Sequence, residues 1–104
     1  MSRWIREMGV RDRTLITIKG EERPYCILRV LKLREDVVNR SVVLWLSLMK
    51  REAVIKVGET LTLDLNRVEF TVTLRSFRNQ RASLAFQGPP EVQFKPLKKR
   101  GTPQ

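Results

Sequence analysis

The stretch Val57 to Leu74, VGETLTLDLNRVEFTVTL, decides the architecture. Leu61, Leu63 and Leu65 alternate with Thr62 and Asp64, the period of two that sends successive side chains to opposite faces of a strand. Asn66-Arg67 breaks the run, and Val68, Phe70, Val72 and Leu74 then resume it against Glu69, Thr71 and Thr73. Two alternating runs around so short a break form a β-hairpin with one apolar face.

The same grammar extends in both directions. After a turn over Ser76 to Gln80, Ala82, Leu84 and Phe86 alternate with Ser83 and Ala85, until Gly88-Pro89-Pro90 ends the strand, since proline cannot donate to a ladder. EVQFK (Glu91 to Lys95) makes a last short strand, with Pro96 closing it. Upstream, TLITI (Thr14 to Ile18) and YCILRVLKLR (Tyr25 to Arg34) read as strands separated by the turn KGEERP. VVLWLSL, from Val42, is almost wholly apolar and is expected to be buried on both faces or to lie at a subunit contact. EAVIKV (Glu52 to Val57) leads into the hairpin. A helix over Leu28 to Asn39 is the main rival, disfavoured by β-branched residues and the lack of a cap. The expectation is an all-β fold, a small barrel or sandwich of antiparallel strands. It forms one domain over residues 1–96, followed by the basic tail LKKRGTPQ (97–104).

A weak internal repeat overlays the two halves, about 1–56 and 53–96. TLITI stands opposite TLTLDL. YCILRVLKLR stands opposite EFTVTLRSFR, which puts Cys26, Leu28 and Val30 on the face held by Phe70, Val72 and Leu74. NRSVVLW stands opposite NQRASLAF, matching Val43 and Trp45 to Leu84 and Phe86, and EAVIK stands opposite EVQFK.

Composition narrows the function. The 104 residues carry 21 Lys and Arg against 11 Asp and Glu, a formal net charge of +10. Such an excess points to a polyanion, nucleic acid first. No apolar run reaches the roughly 20 residues of a membrane helix, and the charged start MSRWIREMGVRDR lacks the pattern of a secretory signal. The expected location is the cytoplasm, with no membrane partner. Histidine is absent, which removes the commonest general base and metal ligand. The single Cys26 sits in an apolar run and reads as a buried side chain. Glu21, Glu22, Glu35, Asp36 and Asp64 flank turns and basic neighbours, as solvated carboxylates do. Neither an enzyme nor a cofactor is expected.

VGETLTL, then VEFTVTL, NQRASLAF and GPPEVQF, resembles the carbon storage regulator family (CsrA, RsmA) in order and turn chemistry, over Ile55 to Lys95. Gly88 stands where that family usually has Ala. The resemblance implies five-stranded chains intertwined as a homodimer, binding GGA-containing messenger hairpins and repressing translation. Each RNA site there joins the first strand of one chain to the last strand of the other. If the repeat is real, this chain is such a dimer fused into one polypeptide, with Trp4-Ile5-Arg6 as the first strand of half one. Ala53 to Lys56 then serves as the last strand of half one, the first of half two, or both. Alternatively, Leu46 to Arg51 is the first strand of half two.

The resemblance also marks a departure. Its chief RNA-contacting arginine falls here at Pro96, and at Val57 in the first half. Lys95 and Lys56 sit one position earlier, and lysine grips phosphate but reads a base edge poorly. The expected RNA contacts are Arg3, Arg6, Lys95, Lys98, Lys99 and Arg100 at one edge and Lys50, Arg51 and Lys56 at the other. Trp4 could stack on a base or pack against the domain. Two readings follow: an RNA-binding regulator gripping single-stranded or hairpin RNA, or a fold that has lost its RNA site and binds a protein partner or a second copy.

Overall fold

The computed structural model describes residues 2–35 and 38–97. Over these residues the chain is all-β: β1 (Ser2–Met8), β2 (Arg13–Ile18), β3 (Cys26–Arg34), β4 (Ser41–Leu46), β5 (Arg51–Lys56), β6 (Thr60–Leu65), β7 (Val68–Arg78), β8 (Arg81–Gly88) and β9 (Val92–Leu97). They form two antiparallel sheets, ordered β1-β8-β7-β6 and β5-β4-β3-β2-β9.

The opening hairpin pairs Thr60 with Thr73 through to Leu65 with Val68. Asn66 and Arg67 both have positive φ, 52° and 69°, as a two-residue turn matched to strand twist requires. Asn79 and Gln80 (φ 51° and 60°) do the same between β7 and β8. That turn is therefore shorter than the expected Ser76 to Gln80, because β7 runs on to Arg78. β9 likewise continues past Lys95: Pro96 pairs with Thr14 and Leu97 with Arg13. Proline is tolerated there because β9 is the edge of its sheet and needs partners on one side only.

The inner faces bury Phe70, Val72, Leu74, Leu84 and Phe86 of one sheet with Ile16, Cys26, Leu28, Val30, Leu44 and Leu46 of the other. Each large side chain so removed from water contributes on the order of 2 kcal/mol. Strand β4 follows the expectation for VVLWLSL in part: Val42, Val43, Leu44 and Leu46 are buried and Trp45 half-buried, while Leu48 beyond the strand is exposed.

Both sheets share one pairing order. On β3, β4 and β5 it is Val30 with Leu44 and Leu44 with Ala53; on β7, β8 and β1 it is Leu74 with Leu84 and Leu84 with Arg6. Both carry a register shift at one place, between Val30 and Lys32 and between Leu74 and Ser76. The turns entering β2 and β6 repeat bond for bond. The Arg11 N–H donates to the Val30 carbonyl at 2.8 Å, and the Gly58 N–H to that of Leu74 at 2.7 Å. An Asp12 carboxylate oxygen accepts from the Gly9 N–H at 2.8 Å, as Glu59 accepts from the Lys56 N–H at 2.6 Å. Arg11 and Gly58 both hold positive φ, 77° and 90°. Residues 47 apart are thus equivalent from β1 through β2 and from β5 through β6.

This geometry corrects the sequence overlay in one place. Cys26, Leu28 and Val30 do share the face held by Phe70, Val72 and Leu74, but Leu44 and Leu46, not Val43 and Trp45, match Leu84 and Phe86. In an alternating strand a slip of one residue exchanges the two faces, and VVLW is apolar on both, so the pattern held no marker against the slip. The structure also assigns the disputed segment. Residues 47–50 form a turn, in which the Ser47 N–H donates to the Ile27 carbonyl at 3.0 Å and Ser47 Oγ accepts from the Ile27 N–H at 2.7 Å. Leu46 to Arg51 is therefore not a strand. Instead β5 lies on β4 as β1 lies on β8, the place of a first strand. No described strand takes the place in the first half that β9 holds in the second.

Candidate nucleic-acid interface

Alternation along β1 turns Trp4, Arg6 and Met8 to the interior side and Arg3, Ile5 and Glu7 outward. Alternation along β9 turns Val92 inward and leaves Lys95 exposed. These strands belong to different sheets, yet the rings of Trp4 and Phe94 stack at 6.3 Å between centroids with 4° between their planes. Phe94 also meets Phe86 at 5.3 Å and Phe70 edge-on at 6.1 Å, and Trp4 meets Phe86 at 5.4 Å. Aromatic pairs at these separations add roughly 0.5–1.5 kcal/mol each beyond their burial. Trp4 therefore packs against the domain. Beside the stack lies a shallow cleft of about 350 Å³, lined by Trp4, Pro90, Val92, Gln93, Phe94 and Lys95.

The expected cations divide into four groups. Arg3 and Lys95, each adjacent in sequence to one ring of the stack, are exposed. Arg6 is turned to a structural task. Its guanidinium donates to the Arg13 carbonyl and, at 3.0 Å, to Thr14 Oγ1, whose hydroxyl donates in turn to Met8 Sδ at 3.3 Å. These bonds tie β1 of one sheet to β2 of the other. Burial holds the Arg6 pKa below its usual value, with Asp12 opposing that shift and Arg81 adding to it.

Lys50, Arg51 and Lys56 lie exposed at the other end of the chain's symmetry, along β5 and its preceding turn. Lys98, Lys99 and Arg100 lie outside the described residues, as does the rest of the tail after Leu97. The two arginine slots also differ from one another. Pro96 is exposed within β9, whereas Val57 sits in the turn before β6, equivalent to Val10 and not to a last strand.

Glycine at position 88 has a local cause. A Cβ there would lie 3.2 Å from the Phe70 Cβ and 3.3 Å from the Val92 Cβ, so the inward seating of β9 would crowd an alanine at this position. Cys26 is fully buried, and burial pushes its thiol pKa up against hydrogen bonds from Leu48 and Ser47. Glu21, Glu22, Glu35 and Asp64 are exposed, while Asp36 lies outside the described residues. Among the described residues no cluster of three or more His, Cys, Asp or Glu side chains is placed to hold a metal ion, and no helix is long and apolar enough to cross a membrane.

Sequence reasoning missed the first-half counterpart of the VGET turn. Val10-Arg11-Asp12 matches Val57-Gly58-Glu59, and the shared signal was a valine two residues before a carboxylate. Arginine in place of glycine at the left-handed position concealed it. The chain matches no protein-family model, no curated protein and no solved structure.

Proposed function

We propose that this chain is an RNA-binding post-transcriptional regulator that grips single-stranded or hairpin RNA along the seam of β1 and β9. The observation that carries the reading is the Trp4–Phe94 stack, a ring contact between the first and last strands, with Arg3 and Lys95, the sequence neighbours of the two rings, exposed. The carbon storage regulator resemblance implies a site of this composition, made by a first strand and a last strand. The net charge of +10 supplies the long-range attraction.

The same geometry makes the chain monovalent. β5 occupies a first-strand position with Lys50, Arg51 and Lys56 nearby, but no last strand stands beside it, so one seam is complete. With Pro96 at the slot where the family carries arginine, affinity rests on phosphate contacts more than on guanine readout. Binding of a GGA hairpin and of a scrambled hairpin, titrated against salt, tests this. The expected result is 1:1 binding that falls as salt rises, by about 0.7 in log K per log salt for each phosphate contact, and that is weakened by Arg3→Glu or Lys95→Glu. Absence of binding to either RNA at low salt removes the proposal. The second reading, a protein-interaction module, is favoured by a different feature, the outer edge of β6.

A further inference from the structure

Strands β2 and β6 are equivalent, and among the described residues only β2 is covered on its outer side. β9 lies antiparallel on it with Val92 opposite Ile18, Phe94 opposite Ile16 and Pro96 opposite Thr14. The equivalents on β6 are Leu65, Leu63 and Leu61, and β6 ends its sheet. The side chains at this pair of equivalent positions differ too: Thr14 is fully buried, bonded to Arg6 and Met8 of the other sheet, whereas Leu61 is only half-buried.

Sheet edges in soluble proteins are commonly guarded by charge or proline, because unpaired N–H and C=O groups otherwise recruit another strand. Three end strands here are guarded: β1 by Arg3, Arg6 and Glu7, β5 by Arg51, Glu52 and Lys56, and β9 by Lys95 and Pro96. Strand β6, TLTLDL, carries neither a cation nor a proline, and its charge is the exposed Asp64. The neighbouring exposed charges Glu59 and Glu69 are also acidic, with Arg67 in the turn after β6 the cation beside them. On a chain of net charge +10 this is an acidic, pairing-competent margin.

We infer that the outer edge of β6 is a docking site for an extended strand donated by another polypeptide, antiparallel to β6 as β9 is to β2. The molecule itself specifies the occupant. It needs apolar side chains at alternate positions, the first opposite Leu65 and an aromatic opposite Leu63, with neutral or basic residues between them to suit Asp64. Main-chain bonds supply affinity and the alternate side chains supply selectivity, as in strand addition generally. This inference stands independently of the RNA reading, because β6 lies at the opposite margin of its sheet from β1.

The test uses the full chain and a synthetic peptide of the β9 sequence, EVQFKPL, with a control in which the phenylalanine is replaced by aspartate. Backbone amide shifts are followed by NMR during titration, and the mass of the free chain is measured by light scattering. The expected result is saturable shifts confined to Thr60–Leu65 and its neighbours, absent with the control peptide. Leu61→Lys is expected to weaken binding at least tenfold, with the melting temperature and the amide spectrum reporting that it still folds. The wild-type shift map decides the matter if that variant does not fold. Shifts at β2 instead, meaning that the peptide displaces β9, overturn the inference, as do shifts at the β1–β9 seam or none at millimolar peptide. A free chain at about twice 12.2 kDa with β6 amides protected overturns it too, because the edge then pairs with a second copy.

Discussion

Trp4 and Phe94 lie near opposite ends of the chain and in different sheets, yet their rings stack with 4° between planes. The stack closes the sandwich at the end where the first and last strands converge. Both rings are half-buried and pack against the core, so they are structural before they are anything else. Phe94→Ala is expected to cost about 2–3 kcal/mol, read as a melting temperature lowered by roughly 10 °C or more for a domain of this size. Tryptophan emission should shift to the red in the same variant.

Substitutions at Arg3 and Arg6 separate the proposed RNA contact from stability. Removing the Arg6 guanidinium takes away the donor shared by Thr14 Oγ1 and the Arg13 carbonyl, so Arg6→Ala is expected to destabilise by about 1–3 kcal/mol in urea unfolding. Arg3→Glu, on an exposed side chain, is expected to stay within about 0.5 kcal/mol of the parent while weakening RNA binding. The reverse pattern would place the RNA contact on the wrong residue.

The two equivalent turns predict opposite responses to glycine exchange. Gly58 holds φ 90° with open space around its Cα, so Gly58→Ala meets no clash and its cost, about 1 kcal/mol, is conformational. Arg11 holds φ 77° with a side chain present. Arg11→Gly relieves that strain while adding chain entropy to the unfolded state, and is expected to be neutral or stabilising by up to about 1 kcal/mol. Paired thermal melts check both.

Gly88→Ala is a packing experiment at the floor of the seam. The added methyl would stand 3.2 Å from the Phe70 Cβ and 3.3 Å from the Val92 Cβ, both anchored in strands. The expected cost is about 1–3 kcal/mol, with amide shifts spreading into β9. A variant as stable as the parent would show that the strand can retreat.

Cys26 should be inert. Its thiol is fully buried with a raised pKa, and the thiolate is the reactive form. A disulfide reagent is expected to leave it unmodified in the native chain and to label it fully in denaturant. For an acid whose folded pKa is raised, the stabilising contribution is complete below the unfolded value. Stability is therefore expected to fall as pH climbs past the ordinary thiol range near 8.5. Cys26→Ala should lose that component of the alkaline decline.

Much of the fold was legible in particular residues. Asn66-Arg67 between alternating runs marked a hairpin to the residue, and Cys26, Leu28 and Val30 marked an inner face. Strand ends were less legible. Pro96 looked terminal but sits inside β9, because an edge strand tolerates proline on its open side. Trp45 looked like a core residue because its neighbours are apolar on both faces, and only the pairing with Arg29 and Glu52 shows its side of the sheet. The candidate site was legible as a set of cations, while the inward task of Arg6 depends on β2 lying beneath it.

By itself the chain determined the alternation, the turns and the excess of positive charge, all of which are local or additive properties. Tertiary structure alone decided which strands became neighbours: β5 on β4, β9 on β2, β1 against β9, and nothing described on the outer side of β6. The physical reason is that period two specifies which face of a strand is buried but leaves its two hydrogen-bonding edges alike. Partners for those edges are chosen by how the two apolar faces close over one another, with Phe94 seated among Trp4, Phe70 and Phe86.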